Sequence, residues 1–66
     1  MSAYSLRHIG TKRWLVFPPS KNLGVHTTYE LGRAEQYPSM TEAELERLQL
    51  REFAPAYEVC CVDANV

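Results

Sequence analysis

The stretch that decides the fold is residues 39–62, SMTEAELERLQLREFAPAYEVCCV. It opens with start signals for a helix, in which a Ser or Thr and a Glu three residues later cap each other's backbone N–H groups. Two such pairs overlap here: Ser39 with Glu42, and Thr41 with Glu44. Pro55 cannot continue a helix, so the helix ends at or before Ala54. The chain then becomes extended over residues 56–64. These signals predict a helix, a turn and a strand, in that order.

The predicted helix carries an apolar stripe. Leu45, Leu48 and Phe53 fall within about a third of the helix circumference, which is the usual width of a stripe that faces a core. Leu50 and Ala43 lie to one side of this stripe and widen the apolar surface. The sequence therefore predicts that the stripe packs against a sheet.

Three strands are predicted before the helix, over residues 4–9, 13–17 and 25–31. The first and third alternate between two faces, and the second is rich in aromatic and β-branched residues. A glycine-containing turn joins the first two strands into a hairpin, and Pro18-Pro19 ends the second because neither proline can donate to a ladder. The order β-β-β-α-β predicts a single α+β domain over residues 1–66, with a small antiparallel sheet of three to four strands and one helix packed on one face.

Two adjacent cysteines, Cys60 and Cys61, lie in the last predicted strand. Neighbouring side chains of a strand point to opposite faces, so the two thiols diverge and neither bond to each other nor share a metal ion. We therefore predict that each cysteine acts as a small hydrophobic residue. The run 59–62 is apolar on both faces, which predicts a strand that is covered on both sides. One helix covers one face, so the loop 18–24, the connection 32–38 or a second protein molecule must cover the other.

The residues suited to catalysis do not form a recognisable motif. The candidates for nucleophile, acid or base are Cys60, Cys61, His8, His26, Asp63 and Glu30. No nucleophile elbow, phosphate loop or metal-ligand spacing includes them. A chain of 66 residues also has little room for a substrate pocket. We predict a protein that is not an enzyme and that holds neither a metal nor a cofactor.

Charge is distributed unevenly along the chain. Residues 1–33 carry five basic side chains against one acidic side chain, and residues 34–66 carry two basic against seven acidic, for a net charge of −1. This dipole steers association with a charged partner if the halves stay apart in the fold, and it cancels if they pair. No apolar run reaches the roughly 20 residues that span a bilayer, and the start lacks the apolar segment of a signal peptide. We therefore expect a cytoplasmic protein with reduced thiols and no membrane partner.

The acidic helix predicts a protein partner. Although most such charge runs are solvated helix faces, a surface formed by Glu42, Glu44 and Glu46 would fit a basic surface of a larger protein. Tyr37 and Leu50 are predicted as the apolar anchors of that contact, because a few apolar and aromatic side chains dominate most interfaces. The edge of so short a sheet could also pair with another strand, which predicts a homodimer as a further form of association.

The first predicted hairpin offers an alternative function. Arg7, Arg13 and Trp14 place basic residues beside an aromatic ring, a pattern that holds phosphates while bases stack. This pattern predicts a small single-stranded nucleic-acid-binding protein. The sequence pI of about 6.1 is far below that of most nucleic-acid-binding domains, so this prediction stands second to a protein partner.

The final third of the chain, TEAELERLQLREFAPAYEVCCV at residues 41–62, combines a capped acidic helix, a proline-marked turn and a strand. This pattern resembles the corresponding part of small phage-encoded inhibitor proteins, such as those that block host RNA polymerase or act against host defences. The resemblance implies a stoichiometric inhibitor that occupies the surface of a host protein, and it assigns no role to any single residue. The predicted function is therefore a non-enzymatic protein-binding module that acts by steric or electrostatic occlusion.

Overall fold

The computed structural model describes residues 3–62 of the chain. Four strands form one antiparallel sheet: β1 (Ala3–His8), β2 (Trp14–Leu15), β3 (Thr27–Thr28) and β4 (Tyr57–Val62). Their spatial order is β3-β2-β1-β4, so β3 and β4 form the two edges. One α-helix, α1 (Met40–Leu48), packs on β1 and β4. The predicted α+β class, the β-β-β-α-β order and the antiparallel sheet with one helix are confirmed.

Strands β2 and β3 are much shorter than predicted. Trp14 pairs with Arg7 of β1, and only Trp14 and Leu15 pair with β3. After Leu15 the chain bends toward a short 3₁₀ helix, Pro19–Lys21, and after β3 it enters a second one, Leu31–Arg33. The predicted strands 13–17 and 25–31 are therefore wrong in length, although each contains the strand that the structure has.

Part of the connection between β3 and α1 fills the gap where β1 and β2 separate. Tyr37 exchanges two backbone hydrogen bonds with Tyr4 of β1, at 2.9 and 2.7 Å. The N–H of Glu35 donates to the carbonyl of Leu15 at 3.1 Å, and the buried hydroxyl of Ser5 donates to the carbonyl of Glu35 at 2.9 Å. Because Ser5 alternates with core residues of β1, it points away from α1. Of the three candidates for covering this second face, the connection 32–38 is the one that does so at Ser5.

Helix α1 begins as predicted and is short. The hydroxyl of Ser39 accepts the N–H of Glu42 at 3.2 Å, so the first of the two predicted caps is the one that forms. The helix ends at Leu48, and Arg51 then takes a left-handed backbone conformation with φ of 57°. The chain continues as a 3₁₀ helix, Arg51–Ala56, and leads directly into β4. The chain therefore bends several residues before the proline that predicted the end of the helix.

The face of α1 that meets the sheet is not the predicted stripe. The core consists of seven buried side chains: Leu6, Leu15, Tyr37, Ala43, Leu50, Ala54 and Tyr57. Leu45, Leu48 and Phe53 are 58%, 55% and 58% exposed, so the prediction that they form the core stripe is wrong. Because α1 ends at Leu48, Phe53 is not part of this helix, and the helical periodicity of α1 does not set the direction of its side chain. The small side chain of Ala43 instead lets the helix approach the sheet closely, and Ala43 is fully buried.

The last strand is extended, as predicted. It covers Tyr57–Val62, and residues 63–64 of the predicted strand lie outside the described residues. Both cysteines are free, with Cys60 half-buried on the face away from α1. Cys61 is exposed, so the prediction that each cysteine acts as a small hydrophobic residue is wrong for Cys61. Within the described residues, no helix is long and apolar enough to cross a membrane.

Candidate functional site

The three glutamates predicted as a contact face do not share one face of α1. Glu44 forms an ion pair with Arg47 one turn further along the helix, and the hydrogen bond from Arg47 lowers the pKa of Glu44. Glu46 points to the opposite flank, where its carboxylate accepts the N–H of Ser20 at 3.1 Å. Glu42 is exposed and lies four residues before Glu46, which places it on that same flank. The structure therefore brings Glu42 and Glu46 together and separates Glu44 from them.

The two predicted apolar anchors lie in the core. Tyr37 is 7% exposed and Leu50 is 8% exposed. The hydroxyl oxygen of Tyr37 is buried and has no hydrogen-bond partner among the described protein atoms. Burial, followed by the negative charges of Glu46 and Glu35, raises the pKa of Tyr37 far above its ordinary value. The prediction of Tyr37 and Leu50 as surface anchors is therefore corrected, because the fold uses both to fill the space under α1.

The basic residues of the alternative prediction are engaged within the chain. Arg7 forms an ion pair with Glu58 across the strands at 2.8 Å, and its guanidinium lies 5.6 Å from the centre of the Trp14 ring. Arg13 lies 4.8 Å from the ring centre of Tyr29 and donates to a carbonyl of β3 at 3.3 Å. A phosphate would have to compete with Glu58 for Arg7. This surface is therefore less prepared for nucleic acid than the sequence indicated.

The side chains suited to catalysis are dispersed. His8 lies opposite Tyr57 in the β1–β4 pair, and Cys61 lies opposite Tyr4. His8 and Cys61 are therefore at opposite ends of this strand pair, about 13 Å apart. Burial, followed by the charge of Glu58, raises the pKa of Cys60, which favours the less reactive thiol. Asp63 lies outside the described residues. Residues 3–62 contain no group of three or more His, Cys, Asp and Glu side chains that could hold a metal ion.

An apolar cleft that sequence reasoning missed lies on the helix side of the sheet. It consists of two adjoining depressions of about 160 and 200 Å³ that share Val25 and Phe53. We call it the Phe53 cleft and define it by its main apolar residues: Leu15, Phe17, Val25, Leu50, Phe53 and Tyr57. Leu15, Leu50 and Tyr57 are buried, whereas Val25 and Phe53 are more than half exposed. The cleft therefore has a floor that belongs to the core and a rim that is open to solvent.

A second apolar concavity follows the open edge of the sheet. This edge groove is formed by Met40, Thr41, Glu44, Leu45 and Val59, and its volume is about 420 Å³. Met40 and Leu45 are more than half exposed. Leu48 lies four residues after Glu44 and continues the same flank of α1. The groove thus joins an exposed apolar flank of the helix to the edge strand β4.

The sequence contained one signal for these two surfaces, namely the apolar stripe at helical spacing. Periodicity shows that a stripe exists but does not show whether it faces a sheet or the solvent. Comparison with known proteins adds no assignment: no protein family, no curated protein and no solved structure matches this chain. The Phe53 cleft and the edge groove are therefore the two candidate sites.

Proposed function

We propose that this chain is a non-enzymatic protein-binding module that receives an apolar side chain of a partner protein in the Phe53 cleft. The observation that carries this proposal is the exposure of Phe53. It belongs to the stripe that periodicity assigns to a core, and it lies more than half exposed on the rim of a concave apolar site. Large aromatic side chains around a pocket are the usual centre of a protein interface.

The cleft is suited to an anchor residue because its floor is already formed. Leu15 and Leu50 are held in the core, and the N–H of Phe53 donates to the carbonyl of Leu50 at 3.1 Å. A partner side chain would displace water from an apolar surface without requiring the cleft to open first. Preorganisation of this kind reduces the entropy that binding costs.

Three acidic side chains lie near the cleft against two basic ones, Lys21 and Arg51, and this excess favours a basic partner. Glu46 hydrogen-bonds Ser20, next to Pro19 of the cleft wall, and Glu42 shares its flank of α1. Glu52 is exposed and directly precedes Phe53. We therefore describe the partner as a protein surface with an apolar side chain surrounded by Lys or Arg, since complementary charge steers such encounters. Occupation of that surface would act by occlusion, as in the small phage inhibitors that the last third of the chain resembles.

The test is selection from a random-peptide display library on the immobilised protein. We expect the enriched peptides to combine an apolar residue with Lys or Arg, and Phe53→Ser to weaken their binding about tenfold or more. Leu23→Ser is the matched control, because Leu23 is about as exposed as Phe53 but does not line the cleft. Equal binding to the wild-type protein and Phe53→Ser would refute the cleft as the working site.

The same preparation distinguishes a protein partner from nucleic acid. A salt titration with a single-stranded oligonucleotide should show at most weak binding, because Arg7 is already paired with Glu58. Binding that falls steeply with salt and depends on Arg13 and Trp14 would instead support the nucleic-acid alternative. The peptide test uses a variant of Phe53, and the oligonucleotide test uses variants of Arg13 and Trp14. A negative result in one test therefore does not change the interpretation of the other.

A further inference from the structure

Strand β4 has an unpaired edge along its outer side. In β1, the backbone groups of Tyr4 and His8 bond to segments on the β2 side, so the alternating residues Ala3, Ser5 and Arg7 direct theirs to β4. Their partners in β4 are Val62, Cys60 and Glu58. The alternating residues Tyr57, Val59 and Cys61 therefore direct their N–H and C=O groups away from β1. Among the described residues, no strand pairs with this side of β4.

This edge strand lacks two of the residues that most often prevent pairing with another chain. Protective features include proline, lysine, a bulge or a covering helix on the edge strand. The six residues of β4, YEVCCV, include no proline and no lysine. The edge groove adjoins this strand and adds the exposed side chains of Met40 and Leu45. An unpaired ladder and an apolar flank therefore occupy the same side of the molecule.

We propose that a second copy of this chain pairs with β4, antiparallel and about a two-fold axis at Val59, to form a continuous eight-stranded sheet. In this register Val59 lies opposite Val59 of the second copy, and Tyr57 lies opposite Cys61. The three residues of β4 whose backbone groups point away from β1 then all take part in the hydrogen-bond ladder between the two copies. The inference goes beyond the proposed function, because the Phe53 cleft is not part of this contact.

Charge favours a second copy over a charged partner. In the part of the chain that the structure describes, two acidic residues lie at this edge, Glu58 in β4 and Glu44 beside the groove. Each is already paired within the chain, Glu58 with Arg7 and Glu44 with Arg47. A two-fold axis brings identical groups close together, and unpaired carboxylates there would repel each other. The internal ion pairs reduce that repulsion, and within residues 3–62 they leave neither of these two carboxylates free for a basic partner.

The geometry of the helices is also compatible with two copies. A two-fold axis perpendicular to the sheet keeps both α1 helices on the same face. Because α1 packs on both β1 and β4, and strands are about 4.8 Å apart, the two helix axes would lie about 10 Å from each other. This is the spacing of packed helices, and it would bring together the exposed flanks that contain Met40, Leu45 and Leu48. Such a contact buries on the order of 1,000 Å², which is typical of a weak, concentration-dependent dimer.

The test is sedimentation velocity from about 1 µM to about 1 mM protein, where we expect a monomer–dimer equilibrium. Leu45→Lys should raise the dimer dissociation constant about tenfold or more, because it places like charges across the two-fold axis. Leu23→Lys is the control, since Leu23 is similarly exposed and lies outside the groove. Circular dichroism verifies that both variants are folded. A wild-type protein that remains monomeric at the highest concentration would overturn the inference.

The register has its own test. In a Cys60→Ser, Cys61→Ser background, Val59→Cys should form a disulfide-linked dimer on mild oxidation, because opposed residues of a hydrogen-bonded pair lie about 5.5 Å apart. Thr11→Cys in the same background, in the exposed β1–β2 turn, should not. Equal cross-linking of the two variants would overturn the register. Phe53→Ser should leave the dimer unchanged, so failure of the cleft and failure of the edge are distinguishable.

Discussion

Replacement of Tyr37 by phenylalanine should stabilise the protein. The ring of Tyr37 fills the core under α1, but its hydroxyl is buried without a hydrogen-bond partner among the described protein atoms. A buried polar group that lacks a partner costs about 1–3 kcal/mol. Tyr37→Phe keeps the ring and removes that group, so the free energy of unfolding should rise by about 1 kcal/mol or more. For a domain of this size, a gain of about 1 kcal/mol raises the Tm by about 4–8 °C.

The pH dependence of stability provides a second readout of the same substitution. The pKa of Tyr37 is raised on folding, mainly by burial, from an ordinary value of 10.0. Above that value the unfolded state loses the hydroxyl proton while the folded state keeps it, so the free energy of unfolding falls as the pH rises above the unfolded-state pKa. Wild-type stability should therefore fall as the pH rises above 10, and Tyr37→Phe should reduce this fall. Burial also raises the pKa of Tyr57, so part of the fall should remain.

The assay is urea and thermal denaturation followed by circular dichroism, between neutral pH and pH about 11, a range that brackets the ordinary tyrosine pKa. Tyr29→Phe is the matched control, because Tyr29 is highly exposed and its ring remains available to Arg13. The control should change stability by less than about 0.5 kcal/mol. A Tyr37→Phe variant that is less stable than the wild type would refute the reasoning, because it would mean that the hydroxyl is satisfied in the folded protein.

Three further predictions concern local features. Arg51→Gly should stabilise the fold by about 1 kcal/mol, measured by urea denaturation, because glycine adopts the left-handed conformation at this position without the cost of a Cβ; a loss of stability would contradict this. Because Arg47 lowers the pKa of Glu44, their pair contributes stability above the ordinary carboxyl pKa of 4.5 and loses it as the pH falls through the lowered value. Glu44→Gln should therefore lose less stability than the wild type on acidification below pH 4.5. Urea midpoints that fall by the same amount with pH in both proteins would argue against the pair. In dilute protein, Cys61 should be alkylated faster than Cys60, because Cys61 is exposed and burial raises the pKa of Cys60; mass-spectrometric mapping that found equal rates would oppose this.

The ion pair between Arg7 and Glu58 illustrates why the candidate site was only partly predictable. Each residue was visible in the sequence as a charge on a predicted strand, but they are 51 positions apart and meet only because β1 pairs with β4. The pairing leaves Arg7 less available to a phosphate and neutralises Glu58 at the β4 edge. The Phe53 cleft likewise depends on Val25 meeting Phe53, two residues that no sequence pattern connects.

The sequence by itself determined the types of element and their order. The cap at Ser39, the prolines and the alternation of the strands act on neighbouring residues, so they operate wherever the rest of the chain lies. Only the tertiary structure decided which side of α1 is buried, how short β2 and β3 are, and that Tyr37 belongs to the core. These outcomes depend on contacts between distant segments, such as the hydrogen bond from Ser5 to Glu35, 30 positions away. The apolar stripe of the helix was present in the sequence, but its direction was set by the close fit of Ala43 against the sheet.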